Sequence, residues 1–365
     1  MGFDRLHAGV GDNPFAGGKF LGSVEFQDEG LAPVETVIGT ELDARMYTNL
    51  SRLSEHRRVT PTAEFYVRTV ASQLLPDSSK WKIGLDGFAE QPSYLDIRSL
   101  RSAAKPMGLH LMECAGNVRA THFGLISVAD WAGVPIASIL DHAKHKPEAS
   151  WVMISGFDQY INQPVTSDSG ASWIFRPEEL KAARAFLATG MNGEPLTRDH
   201  GAPVRLVVPG WYGCTCIKWV NSIAFVDDTA EATSQMQEFA GRTLQQGVPQ
   251  LARDYQPATI DHAATPIRVD KWSVGGKLKY RVVGILWGGS QIVKTLKIRF
   301  NPNEDLVPVH GFQQTSNDLW TIWTHTWSPC EPGHYAIHLA VTDPPVQARK
   351  LDAGYYVRSV IISEV

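Results

Sequence analysis

Leu111-Met112-Glu113-Cys114-Ala115-Gly116-Asn117 sets one soft sulfur between an apolar run and a turn of small residues. His110, Leu111 and Met112 form a strand-like run after the turn signal Pro106-Met107-Gly108, and bulk disappears at Ala115-Gly116 before the chain turns at Asn117. A cysteine at a strand end, followed by residues too small to shield it, can present its sulfur to something large. Arg119 lies five positions on, and a nearby guanidinium favours thiolate over thiol. Thiolate is the ligand of soft or high-valent redox metals, whereas a free cysteine is also commonly a small buried hydrophobe. Both readings stand on this stretch alone. We expect Cys114 to be a metal ligand.

Outward from it, 365 residues exceed one ordinary core and suggest two domains. The 34 basic and 38 acidic residues give a net charge of −4 with no basic block, which argues against a nucleic-acid partner. No apolar run reaches the roughly 18 to 20 residues needed to span a bilayer, so a soluble protein is expected. Met1 to His7 shows no export signal, which points to the cytoplasm, or to the periplasm if a signal has been removed. Four cysteines, Cys114, Cys214, Cys216 and Cys330, do not make a disulfide framework. Cys214-x-Cys216 lacks the two-residue spacing of the usual zinc and redox motifs.

Residues 1 to about 60 read as an irregular arm ending in the charged run Glu55-His56-Arg57-Arg58. Glu64 to Val70 has a strand pattern enclosing Arg68, which either snorkels outward or points into a polar pocket. Helices are expected over Ile97 to Ala104, Ile136 to Ala143, and from Arg176-Pro177-Glu178-Glu179 to about Ala188, where proline and acids suit a helix start. Ser150 to Asp158 is an apolar strand ending at a carboxylate, either a cleft edge or a loop cap. Met191-Asn192-Gly193-Glu194 signals a tight turn. Gly213 to Val220 offers small residues, backbone N–H groups and Lys218, the ingredients of an anion-binding loop. Gln245 to Thr265 reads as a linker. From about Pro266, short alternating strands (Lys279 to Gly284, Lys294 to Phe300, Leu319 to Trp327, His334 to Thr342, Tyr355 to Ile362) with turns at Gly288-Gly289 and Pro344-Pro345 indicate a β-sandwich. Trp287, Trp320, Trp323 and Trp327 are core or interface aromatics.

Taken in order, Glu113-Cys114-Ala115-Gly116-Asn117, Ala129-Asp130-Trp131-Ala132-Gly133-Val134, Met191-Asn192-Gly193-Glu194-Pro195-Leu196, Arg198 to Arg205, Val208-Pro209-Gly210 and Ile217-Lys218-Trp219 resemble the sulfite oxidase family of molybdopterin enzymes. The resemblance runs from about Phe65 to the C-terminus. It implies an α+β fold: a mixed α/β molybdopterin domain over 1–250, arm included, then an immunoglobulin-like β-sandwich over 251–365 that forms a homodimer. It implies molybdenum held by molybdopterin and Cys114. Val67, Arg68, Thr69, Val70, Ala71, Asp158, His200, Arg205, Cys216, Ile217 and Lys218 fall at cofactor contacts, and Arg68 and Arg119 match basic residues facing a small anionic substrate beside the metal. Types such as Arg and Lys suit the pterin phosphate. No Cys-x-x-Cys-His haem attachment is present, so electrons are expected to leave to a separate acceptor such as a cytochrome.

Four positions depart from the family. Thr69-Val70 replace an Asn-His pair, Phe239 falls at the substrate-site tyrosine, and Thr121, with His122 beside it, falls near the pocket tryptophan. The cofactor site is therefore expected to be kept and the substrate pocket changed. Two other readings are a cysteine hydrolase using Cys114 with His122 or His200, and a binding or assembly protein that has kept the fold without turnover.

Overall fold

The computed structural model describes residues 14–27, 29–162, 170–343 and 348–365. Met1 to His7 and the Pro344-Pro345 turn lie outside these residues.

Two five-stranded sheets build the first unit. In one, Glu194–Pro195, Phe186–Met191, Ile126–Pro135 and Lys105–Glu113 lie side by side, with Arg205–Val207 also on Phe186–Met191. In the other, the order is Ser93–Asp96, Lys82–Gly87, Val220–Val226, Trp151–Gly156, Ser172–Phe175. Asn192 and Gly193 take φ of 54° and 81°, the backbone that closes a two-residue hairpin between Phe186–Met191 and Glu194–Pro195. Helices Ile97–Ala103 and Ile136–His142 form where expected.

The helix begun at Pro177 stops at Ala182 instead of running to Ala188. Arg184 turns left-handed at φ 56°, and Phe186-Leu187-Ala188 becomes a buried central strand. A short continuous apolar run has no period of its own, so a buried strand and a helix segment read alike. Pro106-Met107-Gly108 is likewise not a turn. It is a bulge inside one nine-residue strand, Lys105–Glu113, with Gly108 at φ 90°.

The second unit is a sandwich of two four-stranded sheets: Lys19–Val24, Ala263–Val274, Lys277–Trp287, Thr321–Trp327 against Val307–Pro308, Leu296–Arg299, Gly333–Val341, Arg358–Ile362. Lys19–Val24 corrects the expected irregular arm and the assignment of that arm to the first domain, because it pairs antiparallel with Ala263–Val274 at the sandwich edge. Its Phe20 and Leu21 are exposed, so backbone pairing and not apolar alternation makes it a strand. The expected linker also ends early, since Ala263 to Thr265 already pair with Trp287 to Ile285. The two units are joined through buried polar bonds. Trp320 Nε1 donates to the Arg58 carbonyl at 3.0 Å, the Leu111 N–H donates to the Asp318 carbonyl at 2.6 Å, and Trp287 Nε1 donates to Glu113 at 2.8 Å.

Candidate active site

The Lys105–Glu113 strand delivers Cys114 to a cleft in the first unit. The strand continues as a knot of hydrogen bonds. Cys114 N–H donates to Leu125 O at 2.9 Å and Asn117 N–H to Cys114 O at 3.0 Å, while Gly116 N–H reaches the Cys114 Sγ at 3.4 Å. Asn117 Oδ1 accepts from Leu125 N–H at 3.0 Å, and its Nδ2 donates to Glu113 at 3.2 Å. Glu113 is 1% exposed; burial raises its pKa above the ordinary carboxylate value, opposed by Lys350 and by the bonds from Trp287 and Asn117. The packing favours glycine at position 213, because a Cβ there would come within 2.8 Å of the Tyr66 hydroxyl and 3.1 Å of Glu113 O.

The lining of the cleft includes Cys114, Arg68, Arg205, Lys218 and Phe239. Of the residues singled out in the sequence, it brings together Val67, Arg68, Thr69, Cys114, Asp158, His200, Arg205, Cys216, Ile217 and Lys218. Val70, Ala71 and Arg119 are not part of its lining. Val70 and Ala71 turn away through backbone N–H bonds to Glu41 O and Asp199 Oδ1. Arg119, expected beside the metal, instead donates to the Tyr355 carbonyl at 3.4 Å, at the junction with the sandwich. Asp158 fulfils both readings of its strand end: it lines the cleft and accepts from the Gly170 and Ala171 N–H groups.

The deep wall is cationic. Arg205 is 5% exposed and donates to His200 O at 3.2 Å, Cys216 O at 3.2 Å and Met112 Sδ at 3.1 Å. Its Nε is buried without a hydrogen-bond partner. Burial lowers its pKa, with Cys216 and Tyr66 opposing. Lys218 Nζ is enclosed by the carbonyls of Arg68, Thr69 and Asp199 at 3.0, 2.6 and 2.9 Å and stands 4.4 Å over the Trp219 ring. Desolvation carries its pKa well below the usual lysine value, and Arg205 adds to the effect. A buried and a half-buried cation lining one cavity are a costly arrangement that a bound anion relieves.

His200 is neutral. Its Nε2 donates to Phe65 O at 3.1 Å and its Nδ1 meets the Thr197 hydroxyl at 2.7 Å. Burial pulls its pKa to about 4, with Lys218 and Arg205 pushing the same way. With both ring nitrogens occupied, His200 is no base for Cys114. His122 is held by Glu29 and by Ala32 O at 3.0 Å and is absent from the cleft lining. The cysteine-hydrolase reading therefore lacks its base. Among the described residues, no group of three or more His, Cys, Asp and Glu side chains is arranged to hold a metal. Cys214 and Cys216 are reduced and buried, Cys216 Sγ accepting from Val208 N–H at 3.4 Å.

Sequence reasoning missed Tyr66, Met112, Asp199, Trp219 and Gln235 in the cleft lining. Arg45, outside that lining, sits in the arm where no periodicity marks it, and pairs with Arg68 across a two-residue strand pair.

A profile described as an oxidoreductase molybdopterin binding domain matches residues 71–234. The chain is 26% identical over 338 residues to sulfite oxidase of Gallus gallus, covering 84% of this chain and 70% of that one. Over residues 71–234 the chain is similar to molybdopterin-binding oxidoreductase domains, and its likeness to sulfite oxidase extends over most of its length. Its similarity to NADPH nitrate reductase of Aspergillus niger is 31% over 194 residues, 49% of this chain and 22% of that protein. It spans about half the length of rat mitochondrial sulfite oxidase, 48%, at 28% identity. The fold matches the sulfane dehydrogenase SoxCD of Paracoccus pantotrophus with a TM-score of 0.68 at 18% identity, over 98% of this chain and 88% of that one. The domain that residues 71–234 match is one that binds molybdopterin in oxidoreductases. The cleft fits that group: one thiolate faces it, and the unpartnered Arg205 Nε with Lys218 suits an anionic organic tail.

Proposed function

We propose that the protein catalyses oxygen-atom transfer on a small sulfur oxyanion at a molybdenum bound by Cys114, and hands the electrons to a separate acceptor such as a cytochrome. Sulfite oxidases among its relatives, and a sulfane dehydrogenase of the same fold, support sulfur as the reacting element. One observation carries the reading: Cys114 and Arg68 share a cleft whose deep wall is Arg205 and Lys218.

The bound cofactor supplies the two-electron chemistry, and the protein supplies placement and electrostatics. Cys114 gives the thiolate ligand. Arg205 and Lys218 take the pterin phosphate, and neutral His200, its tautomer fixed by Phe65 O, adds no charge beside them. Arg68 lies on the strand paired with Arg45–Met46 and faces the incoming oxyanion. Phe239 has no hydroxyl, so orienting the oxyanion falls to guanidinium groups. Arg119 acts at one remove, by ordering the Tyr355 segment. The homodimer through the sandwich and the location, cytoplasmic or periplasmic, belong to the same proposal; sedimentation and fractionation test them. No helix among the described residues is long and apolar enough to cross a membrane.

Protein made in a cofactor-competent host should contain molybdenum and pterin at near-stoichiometric levels and turn over sulfite or another sulfur oxyanion. Absence of the metal would overturn the proposal. Phe239 and Thr69 favour a second reading, a loaded protein in a binding or assembly role. Near-stoichiometric metal with no turnover of sulfite, sulfoxides or nitrate under varied acceptors would select it.

A further inference from the structure

We infer that the sandwich is a working part of the metal site: Tyr355, Lys350 and Trp287 are positioning residues that together fix where the Cys114 sulfur points. The inference rests on the proposed function in taking Cys114 as the metal ligand, and it assigns the sandwich a role in that site. Three hydrogen bonds carry it, each donated by the sandwich into a segment that bears on Cys114. Trp287 Nε1 reaches Glu113, the residue before the cysteine, at 2.8 Å. The Tyr355 hydroxyl reaches the carbonyl of Asn117, three residues after it, at 2.7 Å. Lys350 Nζ reaches the Tyr212 hydroxyl at 3.1 Å. The residue after Tyr212, Gly213, lies against the cysteine, with a would-be Cβ 3.6 Å from the Cys114 Cα.

The donors come from both sheets of the sandwich. Trp287 ends the Lys277–Trp287 strand of one sheet. Lys350 and Tyr355 lie in and just after the short helix Arg349–Asp352, which leads into the Arg358–Ile362 strand of the other. Aromatic packing ties them together: Tyr356 meets the rings of Trp287, Tyr355 and Phe123 at 5.3, 5.1 and 5.2 Å. Lys350 Nζ stands 4.9 Å and 5.4 Å over the rings of Tyr212 and Tyr355. Between the anchors at Glu113 and Asn117 the loop is itself tightly bonded. Cys114 N–H is tied to Leu125 O, Asn117 N–H to Cys114 O, and Gly116 N–H to the sulfur. A shift of Asn117 therefore passes through its N–H to the Cys114 carbonyl and on to the sulfur. Groups one step removed from a metal set the direction of its ligand, and losing one costs about 10- to 100-fold in metal affinity or activity.

Tyr355→Phe removes one hydroxyl and keeps the ring. Tyr335→Phe removes the same group from a bond to Glu331 O inside the sandwich. In protein loaded in a cofactor-competent host, Tyr355→Phe is expected to retain molybdenum about tenfold less well on dialysis and to change the cysteine sulfur contribution to molybdenum K-edge absorption, while Tyr335→Phe matches the parent in both. Lys350→Met keeps the stem without the donor and should weaken retention by a similar factor of about ten. In both site variants kcat should fall about tenfold or more with KM for the sulfur oxyanion within about threefold, the pattern of a misplaced reacting centre. In cofactor-free protein, iodoacetamide should alkylate Cys114, 7% exposed in the parent, about threefold faster or more in Tyr355→Phe, because a loosened loop opens the sulfur to solvent. Parental retention and alkylation in both Tyr355→Phe and Lys350→Met would overturn the inference, and Lys350→Met decides alone should the phenylalanine variant not fold. Equal changes in Tyr355→Phe and Tyr335→Phe would also overturn it, by making the bond a matter of general stability. If the parent holds no molybdenum or turns over no sulfur oxyanion, the proposed function fails; the positioning stands where alkylation still separates Tyr355→Phe from Tyr335→Phe and falls where it does not.

Discussion

The two ends of the cleft are built on opposite principles. At the deep end, Arg205 and Lys218 are bound to carbonyls and a thioether on rigid sheet and loop backbone. At the outer end, Arg68 stands on a two-residue strand and shares the cleft lining with Phe239. In the proposed function the deep end takes a large, constant cofactor, its cations already held by protein acceptors while Arg205 Nε stays without one. The outer end there takes a small substrate and rests on short elements, so it can change without disturbing the core. Cys114 is the boundary between them, anchored to the Glu113–Asn117 knot and through Trp287 to the sandwich.

Breaking the boundary should have the largest effect. Cys114→Ser is expected to lower turnover on the order of 1000-fold, about 4 kcal/mol of barrier, with loss of the thiolate signature in molybdenum K-edge absorption. Turnover within tenfold of the parent would dissociate the sulfur from the chemistry. Next comes the deep end through His200. Its pKa in the folded state, about 4, lies below the unfolded histidine value of 6.5. The stability it contributes is thus complete above pH 6.5 and is lost as pH falls through 6.5 towards 4. Denaturant titrations of the parent and His200→Gln should diverge over that window by up to about 3 kcal/mol, the parent losing more. Parallel curves would mean that His200 is protonated with little penalty. Arg205→Met separates cofactor binding from folding. Exchanging a buried cation for an apolar side chain of similar length should leave the Tm of cofactor-free protein level or raised. Pterin retention during dialysis should fall about 10- to 100-fold, the loss of one or two charge-assisted bonds. A lowered cofactor-free Tm with unchanged retention would assign Arg205 to structure alone.

The same contrast governs what the sequence reveals. Cys114, His200, Arg205 and Lys218 were readable because special backbone demands and small residues surround them: the cleft wall favours glycine at 213, and Gly201 sits at φ 104° with a would-be Cβ 3.0 Å from Arg205. Those demands write local, ordered motifs. Arg45 has no motif, because its place follows from a pairing with Arg68 twenty-three positions away, a contact that local periodicity does not encode. Arg119 shows the converse. Its spacing from Cys114 is right, but the left-handed His122 and Phe123 that follow, at φ 56° and 53°, belong to a turn beside the sandwich, and its guanidinium bonds to Tyr355 there. The Lys19–Val24 strand and the shortened helix at Pro177 were hidden for related reasons, one being defined by an edge partner and the other by burial on both sides.

Thr69 sharpens the comparison at the point where the two ends meet. It is a β-branched residue at φ 73°, a conformation that disfavours branched side chains and that asparagine adopts with far less strain. Its carbonyl nevertheless receives Lys218 Nζ at 2.6 Å, and its N–H donates to Ala44 O at 2.9 Å, so the backbone is held left-handed from both sides. Strain held in this way is expected where a site over-determines its own geometry. Thr69→Asn should therefore stabilise the protein by about 1 kcal/mol, the strain of one left-handed branched residue, read as a raised midpoint in urea with an unchanged slope. The substitution leaves both backbone bonds in place. An unchanged or lowered midpoint would show that the Thr69 side chain makes a contribution in the cleft that offsets the strain, and the boundary between cofactor and substrate ends would then lie at this residue as well as at Cys114.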